Sequence, residues 1–249
     1  MAATFIGTPV TLGVDSPYYQ TRTYKQLLEN ICRTAGIEPS RLLTDDSLAI
    51  RDFINSALRE GWEYYPWPYL MVVTSDTVAN IDDYSEYDLF SINKYDPRDK
   101  RYPGPYTFSV DVGGINIIPD LTSTDTVYLK YRERWYPFTG SAYSVSTTYA
   151  TGDMAYDSTT GDYYRSLVSS NLAGSLSNAL VWDRREIPDF LFEFAKYSVL
   201  GELREAEGQG EKARALKARA GVAMTLEIEK WERQKNQQLR PQVRLRSGG

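Results

Sequence analysis

Residues 46–70 have the sequence DSLAIRDFINSALREGWEYYPWPYL and predict one amphipathic helix that ends in an aromatic, proline-rich exit. Apolar side chains recur at helical spacing, and polar ones occupy the other side. The apolar positions are Ile50, Phe53, Ile54, Ala57, Leu58 and Tyr65. Thr44 can cap the start of this helix, and Pro66 ends it. Such a helix needs a core on which to lie.

The composition is that of an ordinary globular protein. The chain has 249 residues, of which 42% are apolar and 24% are charged, so it can bury a sizeable core as one large domain or two small ones. No run approaches the ~20 apolar residues that span a bilayer, and the N-terminus lacks a basic patch followed by an apolar stretch. We therefore expect no membrane partner and no conventional export signal.

The lack of histidine excludes several enzyme classes. The chain contains no histidine and a single cysteine. Ser-His-Asp and Cys-His catalysis, HExxH zinc sites and acid–base chemistry by histidine are therefore excluded. Cys32 falls on the apolar face of a predicted helix, where a buried small hydrophobe is favoured over a reactive thiol. Folding in a reducing cytoplasm fits this cysteine usage.

The remaining pattern predicts helices at both ends and strands between them. A first helix is predicted over Thr23–Ala35, with Gly36 at its C-terminal cap. Ile187 and Pro188 open a third, buried helix, and a fourth covers about Glu211–Lys235. Runs of β-branched and aromatic residues predict the strands Tyr69–Val78, Tyr106–Val112, Ile115–Pro119 and Thr126–Arg134. The sequence DVGG (111–114) predicts a tight hairpin between the second and third of them, because Gly-Gly supplies the positive backbone angles that such turns need.

This layout predicts an α+β fold in which the N-terminal and C-terminal helix pairs form a four-helix bundle. An antiparallel β domain is inserted between helices 2 and 3. The predicted segments are an extended arm (1–20), the first helix pair of the bundle (21–66), the β domain (67–139), a second β insertion (140–183), the second helix pair (184–236) and a basic tail (237–249).

The junction ALREGWEYYPWPYL resembles the head-to-tail connector (adaptor) proteins of tailed bacteriophages. In that family the second helix ends in an aromatic-proline element close to W-x-x-Y-x-W-P. The matching positions are Ala57, Trp62, Tyr65, Trp67 and Pro68. A second similarity pairs YRERWYPFTG (131–140) with REIPDFLFEFAKYSVLGEL (185–203), whose Ala-x-Tyr element is Ala195 and Tyr197. The motifs are structural and contain no catalytic signature.

The resemblance implies a virion protein that is assembled in the host cytoplasm and lies in the neck below the portal. Such adaptors form a ring, commonly a dodecamer, that binds the portal protein and the next tail or connector protein. DNA passes through the channel without specific binding, which a net charge of −5 favours. The C-terminal tail would contact the portal through Arg240, Arg244 and Arg246. A solvated basic end without a docking role explains the same residues equally well.

Residues 149–182 resemble the small chitin-binding-type carbohydrate-binding modules. The matching positions are Tyr149, Gly152, Asp153, Tyr156, Gly161, Tyr164 and Trp182. In that family, exposed aromatic rings stack on sugars. Tyr163, next to a core candidate and therefore on the opposite face of a strand, is the best candidate for an exposed ring, with Tyr149 and Trp182 beside it. Tyr156, Tyr164 and Trp182 could instead form the core of a small module, and a decoration domain that contacts a neighbouring tail protein explains the same residues.

Two groups of acids are candidates for the carboxylates of a glycosidase. They are Asp82, Asp83, Glu86 and Asp88, and then Asp153, Asp157 and Asp162. Both groups fall in turn-like sequence, where acids are usually solvated or bind turns, and no pair is set apart. We therefore expect no catalytic residue, no cofactor and no metal. The leading hypothesis is a phage connector; the alternative is a glycan-binding tail or receptor-binding protein that acts through residues 140–183.

Overall fold

A computed structural model describes residues 20–39, 44–84, 87–96, 105–132, 135–172 and 174–238. For residues 44, 45 and 234–238 it describes the backbone alone. The described residues form two compact units. The sheet unit is Pro66–Tyr136, and the helical unit combines Gln20–Tyr65 with the residues from Pro137 onward. Residues 1–19 of the predicted arm (1–20) and residues 239–249 of the predicted tail (237–249) lie outside the described residues.

The regular elements alternate along the chain as follows. The helices are α1 (Tyr24–Ala35), α2 (Thr44–Tyr64), α3 (Asp189–Ala206) and α4 (Gly210–Gln238). The first six strands are β1 (Thr21–Thr23), β2 (Met71–Thr77), β3 (Asp88–Asn93), β4 (Pro105–Asp111), β5 (Gly114–Ile118) and β6 (Thr126–Arg132). The others are β7 (Thr148–Tyr149), β8 (Met154–Asp157), β9 (Asp162–Ser166), β10 (Asn171–Leu172), β11 (Trp182–Arg184) and β12 (Glu186–Pro188).

The ends of α1 follow directly from its sequence. The Thr23 side chain accepts a hydrogen bond from the Gln26 backbone N–H at 3.2 Å, and the Gln26 side chain accepts one from the Thr23 N–H at 3.0 Å. This reciprocal capping box satisfies two N–H groups that a helix start leaves unpaired. Gly36 ends the helix with φ +79°, a left-handed conformation that glycine adopts without strain. The predicted first helix and its glycine cap are confirmed.

The sheet unit is built on one five-stranded antiparallel sheet with the strand order β2-β6-β3-β4-β5. One face of the sheet carries the core, together with a 3-10 helix over Val78–Tyr84. The core residues are Ile81, Ile92, Ile115, Ile117, Val127, Leu129 and Tyr131. The predicted hairpin is confirmed: β4 and β5 pair from Asp111↔Gly114 outward, with Val112 and Gly113 at the turn.

The helical unit differs from the predicted four-helix bundle, and that prediction is wrong. In a bundle each helix packs against two neighbours around a shared core. Here α1, α2 and α4 each pack on α3, and α1 also packs on strand β9. Tyr24 of α1 is buried against Phe138 and against Tyr163 of β9. These aromatic contacts replace part of the helix–helix core that a bundle would have. With the five-stranded sheet and the smaller sheets, the chain is an α+β mix.

The start of α3 also differs from its prediction. Ile187 and Pro188 belong to strand β12, which pairs antiparallel with β1, and the helix begins at Asp189. Pro188 is extended, with φ −55° and ψ 131°. Proline suits this place because it is the last residue before the helix and its fixed φ is compatible with both states. The Asp189 N–H then donates to the Gln20 carbonyl at 2.8 Å.

Candidate functional site

The three aromatic residues proposed for sugar stacking are all buried. Tyr163 is 5% exposed, Tyr149 is 6% exposed and Trp182 is 2% exposed. A sugar ring needs an open aromatic face on which to lie. The exposed position expected for Tyr163 is therefore wrong, and none of the three presents a stacking platform.

Tyr163 is the centre of an aromatic cluster in the helical unit. Its ring lies 4.9 Å from that of Tyr24, 5.3 Å from that of Phe138 and 5.0 Å from that of Tyr156, measured between centroids. The guanidinium of Arg51 in α2 interacts electrostatically with the Tyr163 hydroxyl. The cluster joins α1, α2 and the small sheet, so its contacts are those of a packed core.

Electrostatics agree with a structural role for these hydroxyl groups. Burial raises the pKa of Tyr24 far above its ordinary value. Burial also raises the pKa of Tyr163, although the guanidinium of Arg51 opposes that shift. Both phenols therefore stay protonated near neutral pH, and neither is prepared to act as a general base. Burial likewise raises the pKa of the Cys32 thiol, so the predicted buried cysteine is confirmed and is unreactive.

A second small core holds Tyr149 and Trp182. Their ring centroids are 5.0 Å apart at an interplanar angle of 72°, and Tyr143 packs against both. The Trp182 indole N–H and the Tyr143 hydroxyl both donate to the carbonyl of Gly174, at 2.9 Å and 2.8 Å. The polar ends of the rings are thereby satisfied inside the fold. The interpretation of Trp182 and Tyr164 as core residues of a small module is confirmed, whereas Tyr156 packs on Tyr163 instead.

The sequence did contain a signal for the burial of Tyr163. Tyr163 and Tyr164 do face opposite sides of β9, as strand geometry requires. However, β9 is the middle strand of the sheet β11-β9-β8, with Tyr164 against the Trp182 core and helix α1 packed on the strand. A tyrosine on each face of a short central strand is typical of a sheet covered on both sides.

The junction residues lie where the chain passes from one unit to the other, between Tyr65 and Pro66. Trp62 is buried in the helical unit, and Trp67 is buried in the sheet unit. Pro68 begins the 3-10 helix Pro68–Leu70, whose Leu70 N–H donates to the Trp67 carbonyl at 3.0 Å. These residues fix the path of the chain at the junction. The predicted portal-contact residues Arg240, Arg244 and Arg246 lie outside the described residues.

The acids of the sheet unit hold local structure. One Asp82 carboxylate oxygen accepts the backbone N–H of Ile115 at 2.8 Å, which satisfies a donor of the outermost strand. Asp88 pairs with the buried Arg132 at 2.6 Å. Glu86 lies outside the described residues. Asp82 and Asp88 therefore already serve the sheet.

The acids of residues 149–166 hold turns. Asp153 accepts the N–H of Ala150 at 2.7 Å, and Asp157 accepts the N–H of Thr159 at 2.9 Å and the hydroxyl of Thr160 at 2.8 Å. Partial burial works against ionisation of Asp157, but these hydrogen bonds together lower its pKa. An ionised, turn-binding carboxylate is not suited to donate a proton as a glycosidase acid.

One surface that sequence reasoning missed is the outer face of α4. Ala213, Ala220 and Met224 are buried on the side toward α3. On the opposite side Val222 is 59% exposed and Leu226 is 54% exposed, and two exposed alanines extend the stripe toward the helix start, Ala215 and Ala218. The spacing of Val222 and Leu226 was the available signal, because residues i and i+4 share a face. We call this stripe the α4 outer face.

Comparison of the chain with family models, with curated proteins and with solved structures finds no match. The resemblance to phage connectors therefore rests on the quoted motifs and stays a prediction. Within the part of the chain that the structure describes, no helix has both the length and the apolar character needed to cross a bilayer. The same described residues contain no cluster of three potential metal ligands.

Proposed function

We propose that the protein is a structural component of a tailed-phage virion, a head-to-tail connector that acts through its interfaces rather than by catalysis. Copies of the chain form a ring, of twelve subunits by analogy with the family it resembles. The ring binds the portal on one side and the next tail protein on the other, and DNA passes through its centre. Its place is the virion neck, after assembly in the host cytoplasm.

The α4 outer face is the observation that carries the proposal. α4 has 29 residues and already packs on α3 along one side. Apolar side chains on the opposite side are not needed for the fold of a single subunit. Contiguous exposed apolar surface of this kind usually marks a contact with another protein. A subunit of a ring contacts its neighbours through surface that its own fold does not bury, and the α4 outer face is surface of this kind.

Two further observations support an assembly protein. Asp82, Asp153 and Asp157 are engaged in strands and turns, and Asp88 is engaged in an ion pair. Moreover, apolar side chains are exposed in residues 140–183, where Leu172 is 58% exposed and Leu180 is 83% exposed. A decoration module that contacts a neighbouring protein explains such side chains. The glycan-binding alternative loses its support because its three proposed rings are buried.

Native mass spectrometry tests the proposal, with the purified protein alone and after addition of the portal protein of its phage. We expect a discrete ring, alone or with the portal, and electron microscopy of the complex should show a closed annulus. A chain that stays monomeric or trimeric with the portal present would count decisively against a connector.

A matched pair of variants tests the carrying observation. Val222→Asp combined with Leu226→Asp places charge on the α4 outer face, where no buried side chain is disturbed. We expect the ring to dissociate while the circular dichroism spectrum is unchanged. The control, Arg214→Glu, makes the same net change of charge at an exposed position of α4 outside this stripe and should leave the ring intact. Rings that stay intact in the Val222→Asp/Leu226→Asp variant would show that the α4 outer face does not lie in the subunit interface.

A further inference from the structure

A groove in the helical unit has the chemistry of a peptide-binding site. It is a cavity of about 340 Å³ lined by α2, α3 and α4. Its apolar lining includes Phe194 of α3 together with Ala220 and Met224 of α4. Its charged lining, which we call the rim, includes Glu60 and Glu202. We call this cavity the α2–α4 groove.

The charge of the rim is acidic. Lys217 also lines the groove, but its ammonium group lies 2.8 Å from Glu202 and 2.5 Å from Glu205. These three side chains therefore sum to a single negative charge. Glu60, on the α2 side, adds a second negative charge to the rim. A ligand that inserts an apolar side chain between positive charges would match this pattern.

The end of this chain has such a sequence. Residues 243–246 are VRLR, in which Leu245 is flanked by Arg244 and Arg246. The segment after Lys235 contains arginines and no acid. Its charge is therefore complementary to the rim of the groove.

The lengths also agree. Met224 lies 14 residues before Gln238, the last described residue of α4, which is about 21 Å along a helix at 1.5 Å per residue. The seven residues from Leu239 to Leu245 span at most about 25 Å of chain. Leu245 can therefore return along α4 as far as the Met224 end of the groove.

We propose that the α2–α4 groove binds residues 243–246 of its own chain, with Leu245 against the apolar lining and the two arginines at the acidic rim. Binding holds the basic end against the subunit surface and withholds its arginines from other acidic partners. The proposal does not depend on the connector function, since it concerns a contact within one chain.

Disulfide trapping in the full chain tests this contact. The double variant Gly221→Cys/Ser247→Cys places one thiol at the groove, where an added Cβ meets nothing within 4 Å. The matched control Glu229→Cys/Ser247→Cys places it on the exposed side of α4, nearer to the chain end. The natural Cys32 is buried and does not compete.

We expect the Gly221 pair to form an intrachain disulfide at least about five-fold faster than the Glu229 pair, although Glu229 is closer. Adding Glu60→Gln and Glu202→Gln, or raising salt from about 50 to about 500 mM, should remove that difference because the attraction is electrostatic. Leu245→Ala should reduce it through loss of the apolar contact. Circular dichroism verifies the fold of each variant.

Two results would overturn the proposal. Equal rates for the two pairs at low salt would mean that the chain end samples the surface without a preferred site. Disulfides mainly between chains, seen as dimers on a non-reducing gel, would assign the groove to a second copy. Neither result bears on ring formation or portal binding, which are measured separately.

Discussion

The five-stranded sheet and the three-stranded sheet β11-β9-β8 use the same alternation of side chains in different surroundings. In β5, Ile115 and Ile117 are buried, while Ile118 on the other face is 63% exposed. In β9, Tyr163 is buried and Tyr164 packs against the second core. Alternation therefore shows which residues share a face of the sheet. Whether that face is exposed to solvent depends on what packs on it. Substitutions on both sheets and one titration sharpen this contrast.

The largest effect is expected for Trp182→Ala, in the smaller sheet. Trp182 is almost fully buried and donates its indole N–H to the Gly174 carbonyl. Its removal should lower the free energy of unfolding by about 4 kcal/mol, because a large cavity opens and the half-buried Gly174 carbonyl loses one of its two donors. Urea denaturation followed by circular dichroism measures this change. Leu180→Ala, at a position 83% exposed, should change it by less than about 0.5 kcal/mol.

Substitutions of Tyr163 test whether the second face of β9 is covered by other side chains. Tyr163→Ala should cost about 3 kcal/mol, because the ring packs against three other aromatic rings. Tyr163→Phe keeps the ring and loses only the interaction of the hydroxyl with the Arg51 guanidinium, for a cost of about 1 kcal/mol. The same denaturation experiment measures both. Two neutral substitutions, combined with sugar binding that Tyr163→Ala abolishes, would restore the exposed ring and the glycan hypothesis.

The five-stranded sheet supplies the opposite case on adjacent residues. Ile117→Ala removes a core side chain from β5 and should cost about 2 kcal/mol. Ile118→Ala, on the other face, should cost less than about 0.5 kcal/mol. Equal costs would show that both faces of this strand are covered, as they are in β9. Urea denaturation of the two single variants in parallel measures the difference.

Local structure was predictable because its causes are local. Thr23 and Gly36 cap α1 through bonds to residues three or four positions away. Val112 and Gly113 form the predicted hairpin turn for the same reason. Pro66, two positions after the last residue of α2, prevents the helix from continuing because it lacks an N–H. Such features need no knowledge of the rest of the chain.

The assembly of the elements was not predictable in the same way. The sequence pattern of a helix shows which side is apolar but not which element packs on that side. The bundle prediction assumed that the other helices do. α1 instead uses Tyr24 against Phe138 and Tyr163, which lie more than a hundred residues further along the chain. The sequence wrongly predicts a helical turn where strand β12 lies. That strand forms by pairing with β1, which is also more than a hundred residues away along the chain. Both errors come from long-range contacts, and the error about Tyr163 has the same origin.

The smallest expected effect is a pH dependence in the sheet unit. Burial, followed by the hydrogen bond from its hydroxyl to Asp76 at 3.1 Å, raises the pKa of Tyr84 to about 12. An unfolded tyrosine ionises near about 10, so the unfolded state loses its proton first as the pH rises. The contribution of Tyr84 to stability is therefore complete below about pH 10 and is lost between about pH 10 and 12. The half-buried position of Tyr84 and solvent screening keep this contribution small.

Urea midpoints measured at about pH 9 and about pH 11 should fall less in Tyr84→Phe, which cannot ionise, than in the natural protein. Equal falls would mean that Tyr84 ionises alike in both states and that the bond to Asp76 does not hold its proton.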